Sequence, residues 1–525
     1  MGLCTGGRGV SLRHEPDASA VLQAPRQTRA ELASTAVLGA LGAMSIFFLN
    51  GWDSFLPLFV VPAIAGACIG ACATSKRQAL LAGLAAGLAG SIMSMWLYLS
   101  IPTPVGRFVV ASVYRDGQVW LPCAIAIVLT PILAWAVHLW VAGHAEGSLR
   151  RRVVAWSITG VVVLSFLVTM SGPAQHAGRA TLEPATGSDY TDNMLNIKTY
   201  HFMADGQSFY EAYVGAHAMR GRLPATVRDG KFMGGSAAMF RQPTMFAMWS
   251  AVGPDHDFSR VVRLSILLSA ALLIATYTGL RVAIGPRALF MASIIFPFFV
   301  TQAIGMSMQQ PEWWATLAVL GGFLALVGGR PLSAGLLGLV ALTFRETSGV
   351  WLLAMGVCAV LFAFRNRRAW RWVAIYAGLL AVGIAVYARH VAEASRYVVN
   401  GNIGAVVGYL LNAPGSSALQ RLAAPVEYLM VAYGSSFMSL LWLVPVGLVG
   451  LWIGLRRVPS ARLSATLYVF VFCVYFAVLG VLGPYWGQLI TPLLIIGMGL
   501  AIASADQLME PDTWLLSLRD SRWGG

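Results

Sequence analysis

The chain has 525 residues, of which 57% are hydrophobic and 11% are charged, and its mean hydropathy is +0.69. A soluble globular domain carries about 25% charged residues, and apolar runs recur along the whole chain, so we exclude a soluble protein and a soluble domain on a single anchor. The formal charge of +14 is dispersed over short connections between apolar runs, which excludes a nucleic-acid-binding patch.

Fourteen apolar segments follow a polar stretch of 31 residues, which we interpret as a cytoplasmic tail. A helix needs roughly 20 residues to cross the hydrocarbon core, and the segments are 32–49, 55–74, 79–99, 119–141, 153–170, 261–283, 288–304, 312–328, 332–343, 347–364, 372–388, 428–453, 463–482 and 486–504. The sequence therefore predicts an all-α polytopic membrane protein with about fourteen transmembrane helices and a second cytoplasmic tail at 505–525.

The basic residues of the short connections predict the orientation of these helices. Lys and Arg occur at 76–77, 150–152, 365–371 and 456–457, whereas the alternate short connections have almost none. Positively charged connections remain in the cytoplasm. We therefore expect both termini to be cytoplasmic in an integral protein of the bacterial inner membrane.

Two modules are predicted. Residues 32–150 form a four-helix module in which Gly66/Gly70 and Gly83/Gly87 have the small-residue spacing that permits close helix contact. A hinge at 150–152 leads to a core at 151–504, which carries extracytoplasmic segments at 171–260, after the fifth span, and at 389–427.

The cysteines do not predict a disulfide framework, because most of the six fall within apolar segments. Cys68 and Cys72 are one helical turn apart, but no His or carboxylate lies near them in the sequence. We interpret them as buried small residues and predict no metal ligands.

Charged residues are almost absent from the middle of the spans, where ion-coupled transporters need them. We interpret His138, the main polar residue within a span, as a helix-packing group. We therefore expect the functional residues at the extracytoplasmic surface.

Three acids of the segment 171–260 are candidates for a general base: Asp189, Asp192 and Asp205. A carboxylate next to the membrane can take a proton from a hydroxyl acceptor. The alternative is that these acids are solvated or cap helices.

Two further extracytoplasmic stretches carry polar residues. In MSMQQPEWW at 306–314, Gln309, Gln310 and Glu312 could face a polar site, or this stretch could be a helix start with Pro311 in the first turn. In TFRET at 343–347, Arg345 is matched to a lipid phosphate, with an internal ion pair to Glu346 as the alternative.

The order of these segments resembles the GT-C superfamily of polyprenyl-phosphate-sugar glycosyltransferases over about residues 150–504. The segments that carry the resemblance are FYEAY with Tyr210, GRLP at 221–224, FRQPT with Arg241, QQPEWW, and GGRPLSAGLLGLVALTFRE. Two features depart from the family: the four helices before residue 150 are outside the common core, and GPYWGQLITP at 483–492 lacks the arginine of many relatives.

The resemblance implies an inverting transfer of a sugar from a polyprenyl-phosphate donor, which enters from the membrane lipid, to an extracytoplasmic glycan, lipid or protein acceptor. One of the three aspartates would be the base. Arg345, with Arg241, would stabilise the departing phosphate. The other substrate-binding candidates are Tyr210, Gln309, Gln310, Glu312 and Glu346.

A monophosphate leaving group requires no cofactor, whereas a diphosphate donor would favour a divalent metal. Two alternatives stay open for the function as a whole. They are a lipid-linked-glycan transporter or flippase, and a non-catalytic scaffold of a membrane glycan-assembly complex.

Overall fold

The computed structural model describes residues 56–73, 75–100, 120–142, 147–180, 192–218, 226–233, 240–253, 258–303, 307–399, 443–479 and 484–504. Almost all of these residues are helical. The first predicted span, 32–49, and the two predicted cytoplasmic tails lie outside the described residues.

Thirteen of the described helices overlap predicted spans, although residues 428–442 of the span predicted at 428–453 lie outside the described residues. They are α1 (Leu56–Cys72), α2 (Lys76–Ser100), α3 (Trp120–Ala142), α4 (Gly147–Ala180), α8 (Phe258–Ile284), α9 (Ala288–Gln302), α10 (Pro311–Val327), α11 (Pro331–Phe344), α12 (Val350–Ala363), α13 (Trp370–Ser395), α14 (Leu443–Gly454), α15 (Pro459–Leu479) and α16 (Thr491–Ala503).

Five stretches of the described chain are long and apolar enough to cross a membrane: Cys123–Ala142, Phe258–Ile284, Glu346–Ala363, Arg367–Ser395 and Pro459–Val478. Shorter apolar helices pack beside these five. Leucine, isoleucine and valine side chains of both the long and the short helices are exposed at the sides of the bundle. The chain is thus a helical protein whose exposed apolar side chains suit the interior of a membrane.

Several helix ends differ from the predicted span ends. Helix α4 runs continuously through the predicted hinge at 150–152 and ends at Ala180, ten residues beyond the predicted end at 170, so the predicted extracytoplasmic segment 171–260 begins inside this helix. Helix α13 continues to Ser395, seven residues beyond its predicted end. The last span begins with the 3₁₀ turn Pro484–Leu489, and its α-helix starts only at Thr491. Hydropathy reports where apolar residues end, whereas helix ends depend on propensity and capping.

The bundle has two chemically different ends. At the basic end, the ends of α8, α10 and α14 meet the start of α11, since Val282, Leu326, Pro331 and Arg457 line one cavity. The opposite, polar end contains the start of α10 and the end of α11. The six acids whose side chains are described all lie at the polar end or in the segment that packs on it: Asp205, Glu211, Asp229, Glu312, Glu346 and Glu393.

The N-terminal helices pack through glycine, as predicted. A Cβ on Gly87 would lie 2.7 Å from the carbonyl oxygen of Ala126, and Gly66 and Gly83 make similarly close approaches to α3. His138 is buried, and its Nδ1 lies 3.1 Å from the carbonyl oxygen of Ala73. Its interpretation as a packing group is therefore confirmed.

The polar segment after α4 is folded, not extended. It contains α5 (Asp192–Ala204), α6 (Phe209–Ala218), the hairpin β1 (Thr226–Arg228)–β2 (Lys231–Met233) and α7 (Thr244–Val252). Asp229 and Gly230 have the positive φ angles that a two-residue hairpin turn requires. Strand β2 also pairs in parallel with β3 (Val398–Val399), which ties the segment to the end of α13.

Candidate functional site

Glu312 is a fully buried carboxylate at the start of α10. Pro311 is the first residue of this helix and Gln310 is its N-cap. A proline at N1 and an acid in the first turn are both favoured by the free N–H groups and the dipole of a helix N-terminus. The predicted helix start is confirmed, and it directs Glu312 into the protein.

Arg345 ends α11 and pairs with two carboxylates. Its Nε lies 2.9 Å from Oε1 of Glu312, and its Nη1 lies 3.1 Å from Oε1 of Glu346. The Arg345 side chain is 6% exposed, whereas that of Glu346 is 31% exposed. The internal ion pair named as an alternative for Arg345 is therefore present, and Glu346 is its accessible partner.

Arg241 supplies a second guanidinium, with Nη1 3.9 Å from Oε1 of Glu312. Its position is fixed by its neighbour, because Gln242 Nε2 donates to the carbonyl oxygen of Leu342 near the end of α11. The four side chains Arg241, Glu312, Arg345 and Glu346, which we call the charged cluster, carry two positive and two negative formal charges.

The charged cluster is not arranged for maximum stability. The two carboxylate oxygens of Glu312 and the Nε of Arg345 have no aligned hydrogen-bond partner among the described residues. This holds although Nε of Arg345 lies only 2.9 Å from Oε1 of Glu312. A buried charged group that lacks hydrogen bonds is costly to the folded state. Such an arrangement is typical of a functional site.

One aromatic ring covers Arg345, and a second ring stacks on the first. Its guanidinium carbon lies 4.4 Å from the centre of the Trp486 ring, and Trp486 stacks on Tyr475 with an interplanar angle of 4°. The planar guanidinium is favoured over an aromatic face. The turn at 483–492, which we noted for its missing arginine, thus contributes an aromatic residue to the site.

Gln309 and Gln310 attach the polar segment to the bundle. Asn196 Nδ2 of α5 donates to the Gln309 carbonyl oxygen at 2.7 Å, and Gln310 Nε2 donates to Asn193 Oδ1. Both glutamines are buried. Their described contacts position α5 on the start of α10.

Tyr210 lies in α6, and its hydroxyl donates to Nδ1 of His390 at 3.1 Å. His390 Nε2 is 3.3 Å from the Phe240 carbonyl oxygen, which can only accept, so Nε2 carries the proton and Nδ1 accepts from Tyr210. Burial raises the pKa of Tyr210, and the Glu393 carboxylate raises it further. The hydroxyl therefore stays protonated and connects the polar segment to α13.

A capping box starts α6. Ser208 Oγ and the Ser208 N–H both donate to Glu211 Oε2, at 2.7 and 3.2 Å, and the Glu211 N–H donates to Ser208 Oγ at 3.5 Å. The hydrogen bond from the Ser208 hydroxyl is the main reason that the pKa of Glu211 lies below its usual 4.5. The helix that carries Tyr210 is thus stabilised by an ionised carboxylate.

The capping box predicts a pH dependence confined to α6. A carboxyl whose pKa is lower in the folded state stabilises it above pH 4.5, the unfolded value, and this contribution is lost as the pH falls through the folded value. We expect Glu211→Gln to lower the hydrogen-exchange protection of α6 amides at pH 7 but hardly at pH 3. An equal loss of protection at both pH values would contradict the assignment.

Of the three candidate bases, only Asp205 has a described side chain. Asp205 is exposed in the turn that follows α5. Asp192 is the first residue of α5, and its side chain, like the whole of Asp189, lies outside the described residues. The structure brings together Arg241, Glu312, Arg345 and Glu346 of the predicted site.

Four residues near the site were not predicted: Gln242, His390, Tyr475 and Trp486. Of these four, only Trp486 could have been found from the sequence, because a tryptophan in a polar turn between two spans is typical of a membrane interface. His390 lies in the part of α13 beyond the predicted span. No group of three or more His, Cys, Asp or Glu residues that could hold a metal occurs in the described part of the chain.

In comparisons with known proteins, no family model, no curated protein and no solved structure matches the chain.

Proposed function

We propose that this protein is a membrane glycosyltransferase of GT-C-like architecture. It would transfer a sugar, with inversion, from a polyprenyl-phosphate donor to an extracytoplasmic glycan, lipid or protein acceptor. The observation that carries the proposal is the buried Glu312 carboxylate, which is held near two guanidinium groups at the end of the bundle where the polar segment docks.

The location of the charged cluster supports this chemistry. Glu312 and Arg345 belong to apolar helices, whereas Arg241 belongs to the polar segment. A lipid-linked donor can approach such a place from the bilayer, and a water-soluble acceptor can approach it from the polar segment. Guanidinium groups stabilise a departing phosphate because they bind its oxygens through parallel N–H groups.

Each residue then has a defined part in the transfer. An aspartate of the polar segment, Asp189, Asp192 or Asp205, takes the proton of the acceptor hydroxyl. The hydroxyl oxygen forms a bond to the anomeric carbon as the bond from that carbon to the phosphate oxygen breaks. The phosphate leaves with the electron pair, and Arg241 and Arg345 stabilise its negative charge.

The two carboxylates of the charged cluster have separate parts in this mechanism. Glu312 is a positioning residue, because it is fully buried and lies 2.9 Å from Nε of Arg345. Glu346 is the more exposed partner, so an incoming phosphate would replace it on Nη1 of Arg345. No step of this mechanism requires a metal.

The membrane arrangement is part of the proposal. Fourteen spans with both termini in the cytoplasm of a bacterium would put the polar segment and the charged cluster on the outer side of the inner membrane. The basic end would then lie in the cytoplasm, as the positive-inside rule expects.

A transporter is less well supported, because a substrate path would need free polar groups along the bundle. Three buried hydroxyls along α8 are occupied by backbone carbonyls: Ser265 donates to Ala303, Ser269 to Ser265, and Thr276 to Leu272. A non-catalytic scaffold of a glycan-assembly complex would keep the same topology without transferring sugar, and an activity assay separates it from an enzyme.

The assay uses the purified full-length protein in liposomes with undecaprenyl-phosphate-linked hexose and pentose donors. We expect wild-type protein to transfer sugar, and the combined change Asp189→Asn, Asp192→Asn and Asp205→Asn to lower the rate at least about 10²-fold. Single changes then identify the base. Asp229→Asn is the matched control, because Asp229 is an exposed acid of the same segment and lies in the hairpin turn.

Two outcomes contradict the proposal. Wild-type protein that transfers no sugar from any of these donors is not the proposed enzyme. A triple variant that is as active as Asp229→Asn would show that none of the three aspartates is the base.

A further inference from the structure

A groove opens on the side of the bundle near its basic end, between α12, α14 and α15. Its volume is about 360 Å³. Apolar side chains of all three helices line it, among them Val357, Leu361, Leu448, Trp452, Leu467 and Phe470. Val357, Leu361 and Phe470 are about half exposed, so the groove is open towards the side of the bundle, where the bilayer would be.

A buried cation adjoins this lateral groove. Arg462 is 5% exposed, and its guanidinium carbon lies 3.7 Å from the centre of the Trp452 ring, which lines the groove. Its Nε has no hydrogen-bond partner among the described residues. The acids with described side chains lie at the polar end or in the segment packed on it, so none of them neutralises Arg462.

A hydroxyl extends this polar feature along the same helix. Thr466 lies one helical turn after Arg462, on the same face of α15, and lines the groove. Its buried Oγ1 also lacks a partner in the described part of the chain. The groove therefore combines an apolar wall with one cation and one hydroxyl next to it.

We propose that the lateral groove binds an anionic phospholipid of the bilayer leaflet at the basic end. An acyl chain would lie along the apolar wall. The phosphodiester would accept from Arg462, because an oxyanion provides the acceptor that its buried Nε lacks. Arg457, exposed in the turn between α14 and α15, does not line this groove. This site is distinct from the charged cluster, and the inference does not depend on sugar transfer.

The test is lipid retention by the full-length protein. Native mass spectrometry follows phosphatidylglycerol, with phosphatidylcholine as the neutral competitor and undecaprenyl phosphate as the other anionic lipid. We expect wild-type protein to retain one phosphatidylglycerol in preference to either. Arg462→Gln should weaken this binding at least about tenfold, because one charge-assisted contact is lost.

Two further variants keep the result interpretable. Arg457→Gln removes the same charge from the exposed turn and should retain the lipid. Leu448→Trp fills the groove and leaves Arg462 in place, so it should lose the lipid even if Arg462→Gln fails to fold. Equal retention of phosphatidylcholine, preference for undecaprenyl phosphate, or a groove-filled variant that keeps its phosphatidylglycerol would each overturn the proposal.

Discussion

Replacing Arg345 by methionine is expected to lower the rate of sugar transfer by about 10²–10³-fold and the free energy of unfolding by about 3–5 kcal/mol. The loss of stability follows from Glu312, which stays fully buried when its partner at 2.9 Å is removed. The remaining guanidinium, that of Arg241, is 3.9 Å away. Transfer kinetics in liposomes and chemical unfolding in detergent measure the two effects separately.

A double variant distinguishes the structural part of Arg345 from its part in catalysis. Arg345→Met with Glu312→Leu removes both charges, and replacing a buried ion pair by apolar residues often restores stability. We expect stability to recover while transfer stays low, because the phosphate still lacks its cation. Recovery of both would show that Arg345 has only a structural role.

The matched control for Arg345 is the exposed pair of Arg396 and Glu393. Their side chains are 72% and 36% exposed, and the two groups lie 2.7 Å apart. Exposed ion pairs contribute about 0–1 kcal/mol. Arg396→Met should therefore leave both transfer and stability nearly unchanged, although the ion pair it removes is shorter than that of Arg345.

Replacing Gly450 by valine is expected to lower the free energy of unfolding by about 3 kcal/mol or more. A Cβ on Gly450 would overlap the backbone carbonyl of Gly497, and a Cβ on Gly497 would overlap that of Gly447. Because the overlapping atoms belong to the backbone, a side-chain rotation cannot remove the clash. Helices α14 and α16 would have to separate along their contact.

This separation should also affect the charged cluster. Helix α16 follows directly from Pro484–Leu489, which carries the Trp486 ring over Arg345. We therefore expect a lower transfer rate in the Gly450→Val protein that still folds. Thermal unfolding in detergent and transfer in liposomes provide the measurements.

Gly356→Val is the control for helix packing, because nothing lies within 4 Å of a Cβ on Gly356 in α12. It introduces the same side chain into another apolar helix of the bundle. Similar losses for the two variants would mean that valine itself, and not the close approach of α14 to α16, is responsible.

The sequence by itself determined the helices and some of their local details. Apolar segments of about 20 residues predict helices because each must bury its own backbone hydrogen bonds in lipid. The start of α10 at Pro311 with Glu312 in its first turn follows from residues near one another in the chain. The spacing of Gly66/Gly70 and Gly83/Gly87 marked helix faces that pack closely, although it did not name the helix they pack against. Local physics is sufficient for features of this kind.

Only the tertiary structure decided which polar groups meet. Gln242 reaches Leu342 across 100 residues, and Asn196 reaches Gln309 across 113. Trp486 covers Arg345 because α11 and the turn before α16 end at the same end of the bundle. Such contacts depend on how the helices face one another, which hydropathy does not encode. For the same reason, the sequence left phosphate and the neighbouring Glu346 as alternative partners of Arg345. The fold added Glu312, a second carboxylate from another helix.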